Sequence, residues 1–315
     1  MDNTRPVNIE DEKLISICIP TYNREDYLKT TLKSIVTQEG FSDRCEIVIS
    51  DNCSTDNTAE MVAEFISQYR NIRYYRNETN IGADRNFINV MNLARGKYIK
   101  LHGDKVCFYE SGLTRLIGYL EEIDVGVVFL LNCQNDLREK GIIGCNTFDE
   151  FVQKVSYWST WMNGIILRNS DYQNLEDKER AIWSFLIQTD LMFRIISKNT
   201  ISKIINERLM FEQPIETKGG YNIFEVFVDN YLSLYKNYKF TGLLSERTYK
   251  KEKIKLLRFF VFPWYIETVF RKHYQFKLTR ANKIIIKHYK TYPQFYSFPV
   301  YIFIRAMKKV MNLLF

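Results

Sequence analysis

Paired cysteines are missing from this chain. Its six cysteines, Cys18, Cys45, Cys53, Cys107, Cys133 and Cys145, form no C-x-x-C pair, and none has a histidine at zinc-ligand spacing. Several lie in apolar runs, so reduced core cysteines in a reducing compartment are expected. Long apolar runs are missing too. No stretch reaches the roughly 18 uninterrupted apolar residues of a membrane-spanning helix. The opening residues, Met1–Lys13, have no apolar core, so a signal peptide is not expected. There is no internal repeat and no low-complexity tract. The first strand is followed by neither G-x-G-x-x-G nor a Walker loop, which argues against an ordinary dinucleotide or P-loop site.

The composition is that of a folded protein: 315 residues, 46% hydrophobic and 26% charged, enough for one large domain or two modest ones. Charge is unevenly placed. From Thr241 onward there are 16 Lys/Arg against 3 Asp/Glu, a local net of +13, so the remainder of this +7 chain carries −6. That asymmetry predicts two functional parts, residues 1–240 and residues 241–315.

Along the first part, strand and helix signals alternate. Leu14–Ile19 is a short apolar run closed by Pro20, and residues 25–37 have helical spacing. Glu46–Ser50 reads as a second strand, with a helix over 58–69 that Thr55 or Asp56 can cap. Ile72–Tyr75 is a third strand. A helix over 83–95, ended by Gly96, leads to a fourth strand at Lys97–Leu101. Further on, helices are predicted over 112–122, 180–198 and 222–238, and strands over 125–131, 161–168 and 201–210. This order is that of an α/β fold with a mainly parallel sheet flanked by helices. Such sheets bind ligands beyond the carboxyl ends of their strands, where the polar clusters 20–24, 51–57 and 102–105 fall.

Three stretches together resemble the family 2 glycosyltransferases of the GT-A fold. They are Ser16-Ile17-Cys18-Ile19-Pro20-Thr21-Tyr22-Asn23-Arg24, Ile47-Val48-Ile49-Ser50-Asp51-Asn52-Cys53-Ser54-Thr55-Asp56-Asn57-Thr58, and Asn80-Ile81-Gly82 with Arg85-Asn86. The resemblance covers about residues 14–105, loosens from 106 to 215 and is lost beyond 240. It implies transfer of a sugar from a nucleotide-sugar donor. Pro20, Thr21, Tyr22 and Asn23 would line the donor site. Asp51, acceptor-only when ionised, would take the imide N–H of uracil or thymine, which favours UDP or dTDP donors. Arg24 and Arg85 would face the diphosphate.

The family's metal motif, Leu-Asp-x-Asp-Asp, is replaced here by Leu101-His102-Gly103-Asp104-Lys105. Three readings stay open. His102 and Asp104 hold Mn²⁺ or Mg²⁺, Mn²⁺ being the more tolerant of imidazole; or Lys105 supplies the positive charge itself; or the site has lost its chemistry. The resemblance also implies a catalytic base at Asp190, within Gln188-Thr189-Asp190-Leu191-Met192-Phe193-Arg194, with Glu176 and Asp177 as fallbacks. Gly164 falls where the family contacts the acceptor, and Trp158 and Trp161 would stack on a sugar face or pack in the core. The Gln-x-x-Arg-Trp motif of processive synthases is absent, so one sugar is expected per event.

The tail interleaves basic and aromatic residues, as in Phe259–Tyr265, Phe270–Tyr274 and Phe295–Phe303. That pattern predicts a helical region lying on an anionic membrane surface. It shows no nucleic-acid motif. The combined expectation is a cytoplasmic, peripheral, inverting transferase that acts on a lipid-linked saccharide in bacterial O-antigen or capsule synthesis. The rivals are an inactive GT-A scaffold at the membrane and a nucleotidyltransferase.

Overall fold

The computed structural model describes residues 13–41, 44–133, 137–214, 219–272 and 274–302. The chain divides into two units, Met1–Pro214 and Ile215–Phe315, a boundary that precedes the charge step at Thr241.

The first unit runs β1 (Ile15–Thr21), α1 (Glu25–Val36), β2 (Cys45–Asp51), α2 (Thr58–Gln68), β3 (Ile72–Arg76), α3 (Ala83–Asn92), β4 (Tyr98–Leu101) and β5 (Val106–Phe108). It continues with α4 (Gly112–Glu121), β6 (Val127–Leu130), β7 (Gly141–Cys145), α5 (Phe148–Val155), β8 (Ile165–Arg168), α6 (Asn169–Gln173), α7 (Ile187–Lys198), β9 (Ser202–Asn206) and β10 (Met210–Glu212). Eight strands form one sheet in the order β3-β2-β1-β4-β8-β6-β9-β7. β1 pairs in parallel with β2 and β4, β2 with β3, and β6 with β9. β8 is antiparallel to both β4 and β6, and β7 to β9. The mainly parallel α/β sheet expected from the sequence is therefore present.

β1 and β2 are buried at every position, which is why they read as continuous apolar runs and not as alternating ones. α1 covers the sheet with Leu28, Leu32 and Ile35, all fully buried, each contributing about 1.5–3 kcal/mol. Polar groups buried in this core have partners of their own, Glu46 among them. Glu46 accepts from Ser16 Oγ at 2.6 Å and from the Arg95 amide at 2.8 Å, and pairs with Arg73 at 3.3 Å.

Several element boundaries differ from the sequence expectations, among them the strand expected over 201–210, which is β9 followed by β10. The helix predicted over 83–95 ends at Asn92. Gly96 is needed for another reason: a Cβ there would lie 2.7 Å from the backbone of Ile15 and Ser16. Residues 161–164 are not strand but a short 3₁₀ turn that delivers the chain to β8. The helix predicted from residue 180 starts at Ile187, because Phe185 takes a left-handed conformation, φ 56°, that no α-helix accommodates.

The second unit holds β11 (Gly219–Asn222), a π-helical turn Glu225–Asn230, α8 (Tyr231–Phe240), α9 (Glu246–Leu256), α10 (Phe262–Tyr265), β12 (Gln275–Lys277) and α11 (Ala281–Tyr289). β11 and β12 pair in parallel. The Ser245 hydroxyl caps α9 by accepting from the Thr248 amide at 3.1 Å. The Lys253 ammonium lies over the rings of Tyr292, Tyr289 and Tyr249 at 4.4, 5.6 and 6.0 Å, and donates to the carbonyl of His288 at 2.9 Å. The C-terminal helical region expected from the sequence belongs to this unit, although its last stretch from Phe303 lies outside the described residues. Among the described residues no helix is long and apolar enough to cross a membrane.

Candidate active site

The ends of β1, β2 and β4 lie side by side, and the loops leaving β1 and β2 are stitched together. The Asn23 amide donates to Ser54 Oγ at 2.8 Å, and the Thr55 amide donates to Asn23 Oδ1 at 2.7 Å. Asn23 holds φ 50°, a left-handed conformation that asparagine tolerates. Pro20 is buried within β1 and Thr21 is buried at its end, whereas Tyr22 is 43% exposed. Arg24 lies 5.6 Å from the Tyr27 ring and has no ion-pair partner among the described residues.

Beside this loop stands the segment after β4. Thr21 Oγ1 donates to Asp104 Oδ2 at 3.1 Å, and Thr31 Oγ1 to the Asp104 carbonyl at 2.9 Å. The Gln213 amide holds the Lys105 carbonyl at 2.9 Å. Burial lifts the Asp104 carboxyl to about 6, against the opposing pull of Arg24, Thr21 and Lys105. The Lys105 ammonium pairs with Glu212 at 3.0 Å, and the other oxygen of Glu212 accepts from Trp161 Nε1 at 3.0 Å. Thr21, Arg24, Asp104 and Lys105 are thus brought to one place, with Trp161 next to it through Glu212.

His102 points elsewhere. It is fully buried, stacked on Phe108 at 5.2 Å, with Nε2 2.9 Å from the Val106 carbonyl and Nδ1 buried without a partner. Only a protonated Nε2 can donate to that carbonyl, so the network assigns this tautomer. Burial, with Lys100 nearby, holds the ring neutral. Lys100 is itself fully buried, its ammonium lowered to about 7 by burial, and it donates to the Asn163 carbonyl at 2.8 Å. Asn163 Oδ1 in turn accepts from the Gly103 amide at 2.6 Å. Gly164 follows. It faces the core: a Cβ there would lie 2.5 Å from Phe129 Cζ and 2.8 Å from the Leu130 carbonyl oxygen.

Asp51 is fully buried at the end of β2. Its Oδ1 accepts from the Ser54 amide at 2.9 Å and from Ser54 Oγ at 2.5 Å, and its Oδ2 from the Tyr74 hydroxyl at 2.5 Å. Arg85 forms a surface pair with Glu179 at 3.1 Å. Asn86 ties α3 to β2, donating to the Ser50 carbonyl at 2.9 Å. Asp190 sits in the first turn of α7, 2% exposed, where the helix dipole favours a negative charge. Arg180 grips both of its oxygens, at 2.8 Å from Nη2 and 3.1 Å from Nε. Arg194, one turn on, lies 3.8 Å away. The fallback acids Glu176 and Asp177 meet Arg194 only through their carbonyls.

Glu212, Asn163 and Arg180 were not singled out from the sequence. Glu212 and Asn163 act on site residues from distant segments, Arg180 acts on Asp190 from ten positions before it, and no local motif marks any of them. Trp183 and Phe185, 52% and 61% exposed on the Arg180 loop, were missed too. They lie inside what spacing alone reads as helix.

A divalent cation fits one part of this set. Among the described residues no three His, Cys, Asp or Glu side chains gather as a metal cage. Magnesium-type ions, however, are often held by one or two carboxylates plus substrate phosphates. Asp104 suits that role, with only Oδ2 bonded to Thr21. The buried ring of His102 does not reach it from the core.

Comparison with known proteins agrees with this architecture. The family model described as glycosyl transferase family 2 matches residues 16–188, more than half of the chain. Abequosyltransferase RfbV of Salmonella typhimurium is 46% identical over 109 residues, 34% of this chain and 33% of that protein. The uncharacterized glycosyltransferase MG025 of Mycoplasma genitalium is 34% identical over 127 residues, 40% and 43% of the two chains. The chain therefore spans well under half the length of these curated relatives in the matched region. Among solved structures, residues 1–349 of S. aureus TarS in complex with UDP-GlcNAc superpose with a TM-score of 0.59 at 16% identity, covering 78% of this chain and 72% of that one. A second structure of S. aureus TarS gives 0.55 at 13% identity, covering 80% of this chain and 43% of that one. At such identities the likeness speaks for the fold, which is GT-A. With the sheet, the strand-end loops and the family match in agreement, this chain belongs to glycosyl transferase family 2.

Proposed function

We propose that this chain transfers one sugar from a nucleoside diphosphate donor, UDP or dTDP, to an acceptor hydroxyl, with inversion at the anomeric carbon. The observation that carries the proposal is the convergence of Thr21, Arg24, Asp104 and Lys105 at the ends of β1 and β4. Two cations and a carboxylate at a strand-end crevice suit a diphosphate. Tyr22 is exposed to meet the base, and Asp51 accepts its imide N–H where Tyr74 Oη now donates.

The acceptor oxygen attacks the anomeric carbon as the bond from that carbon to the diphosphate oxygen breaks. The electron pair leaves with the diphosphate, and the hydroxyl proton passes to Asp190. Arg180, half exposed, must give up its bidentate hold for Asp190 to act. Arg24 and Lys105 hold the departing diphosphate, and Glu212 with Trp161 fixes where Lys105 points. When bound at Asp104, Mn²⁺ or Mg²⁺ would neutralise charge on the same leaving group.

RfbV is named an abequosyltransferase, which supports sugar transfer; the lipid-linked saccharide acceptor in bacterial surface polysaccharide synthesis is assigned from the basic, aromatic tail. The basic aromatic second unit supports a place on the inner face of the cell membrane. The residue ranges 1–240 and 241–315 then divide donor chemistry from membrane attachment.

Product analysis tests the reaction. Release of UDP or dTDP from the nucleotide-sugar, lost by about a hundredfold or more in Asp190→Asn, is the expected result. Release of pyrophosphate from a nucleoside triphosphate would mean a nucleotidyltransferase. The Arg180–Asp190 pair keeps one further reading in view, an inactive GT-A scaffold. For that reading, nucleotide binds and nothing turns over.

A further inference from the structure

The second unit contains an open-sided cavity of about 220 Å³. Val261, Phe262 and Tyr265 line it from the long helical stretch, Ile285 and Ile286 from α11, and Phe298 from the segment beyond. Asn282 is also in the wall, but its Oδ1 accepts from the Tyr265 hydroxyl at 2.7 Å, so the polar edge is satisfied from within. An apolar space of this size is larger than the roughly 150 Å³ that holds a benzene ring, and slimmer than a drug-sized pocket.

Its walls have a structural cause. Pro263 has no amide hydrogen to give to the preceding turn, and the helix there alternates π-helical turns, Leu257–Val261 and Ile266–Phe270, around α10. Such turns occur often at functional sites. The same unit leaves large apolar side chains in solvent: Phe259 at 59%, Phe270 at 62%, Ile286 at 47% and Tyr296 at 68%.

Charge identifies the occupant. The acids of this unit are largely engaged: Asp229 by Lys287 and His288, Glu246 by Lys239 and Lys250, Glu267 by Arg271, and Glu252 by the Tyr231 hydroxyl. Arg258, Lys283 and Lys290 have no ion-pair partner among the described residues, and all three are exposed. Arg258 lies three and four positions before Val261 and Phe262 in the wall, and Lys283 on α11 and Lys290 just past its end flank Ile285 and Ile286 in sequence. An apolar slot flanked in sequence by uncompensated cations matches a hydrocarbon chain joined to an anionic head.

We infer that this cavity takes one acyl chain of an anionic phospholipid drawn from the bilayer, with Arg258, Lys283 and Lys290 meeting its phosphate. The inference rests on the membrane placement proposed above and makes it specific. Binding then requires both an inserted chain and a negative head.

The test uses full-length protein with vesicles of phosphatidylcholine containing about one third phosphatidylglycerol, the latter carrying a photoreactive acyl chain. Flotation measures partitioning, and peptide mapping locates the cross-link. The expected result is a cross-link within residues 258–302 and at least a tenfold loss of partitioning in Ile286→Glu. That position is half exposed, so the fold should tolerate the change, and an unchanged melting temperature and unchanged UDP affinity would verify this. Arg258→Glu with Lys283→Glu should lose partitioning equally. If wild type floats by charge but Ile286→Glu floats as well, without cross-links in 258–302, the chain site is wrong and the membrane placement stands. If wild type stays with the soluble fraction on all vesicles, both fall. If a chain ending at residue 302 binds vesicles much more tightly, or Ile286→Glu converts a dimer to a monomer, then the occupant is the chain's own terminus or a second copy, and the inference is overturned.

Discussion

At the scale of residues, burial separates groups that sequence spacing treats alike. His102 and Asp104 stand two apart and look like a ligand pair. Asp104 ends beside Thr21 and Arg24, whereas His102 is stacked on Phe108 in the core. The covering atoms come from Val106, Phe108 and Lys100, and nothing in a five-residue motif tells which neighbour a fold will lay over it. The placement of Asp51 and Thr21 was legible because they end strands, and strand ends follow from apolar runs. Glu212 was not, since its partners Lys105 and Trp161 come from far along the chain. Asp104→Asn should lower turnover about a hundredfold or more while leaving the melting temperature within a degree or two, checked by UDP release and calorimetric melting. Equal turnover would remove Asp104 from the site.

Asp84 gives a pH-dependent test. It is 8% exposed in the first turn of α3, its Oδ2 has no partner, and burial raises its carboxyl from 3.8 to about 7. A folded-state value above the unfolded one means that the fold prefers the protonated acid. Its stabilising contribution is complete below about pH 4 and is lost as pH rises through about 7. Asp84→Asn should therefore be more stable than wild type at pH 8, on the order of a few kcal/mol, with the difference vanishing near pH 4. Denaturant melts at the two pH values measure it, and a variant less stable at pH 8 would contradict the assignment.

At the scale of elements, the first half of the sheet was readable and the second half less so. β1 to β4 alternate with helices of clear period, and their expected positions differ from the structure by a residue or two. β8 also has a readable apolar run, but its antiparallel direction is decided by the 3₁₀ turn at Met162–Gly164, which has no strong sequence signature. The seven residues before α7 have helix-like apolar spacing that the left-handed Phe185 breaks. That break moves Asp190 from mid-helix to a first turn and puts Arg180 on a loop able to hold it. Gly164 marks the same junction. Gly164→Ala should destabilise the protein by about 1–3 kcal/mol, because the new methyl would overlap Phe129 and the Leu130 carbonyl. Thermal or urea unfolding checks this. No loss would show that β6 and β8 have room to separate.

For the whole molecule, composition carried the main division. A strand-rich, net acidic part and a basic, aromatic, helical part were visible as a step in charge at Thr241, while packing places the unit boundary earlier, at Pro214. Charge marks where a surface changes its partner, and packing marks where a core ends, so the two need not coincide. Vesicle binding through the second unit should weaken steeply between low and physiological salt, since exposed cations are screened over about 8 Å at 0.15 M. Salt-independent flotation would mean that charge has no part in it.

The measurement that tests the donor site most directly is calorimetric titration of UDP and dTDP, with and without Mn²⁺, into wild type, Asp104→Asn and Lys105→Ala. The expected result is binding to wild type that strengthens with Mn²⁺ and weakens at least tenfold in Asp104→Asn. Metal-indifferent binding lost in Lys105→Ala would transfer the diphosphate to the lysine. Wild type that binds neither nucleotide under any condition would contradict the donor site, and the roles given to Thr21, Arg24, Asp104 and Asp190 would fall with it.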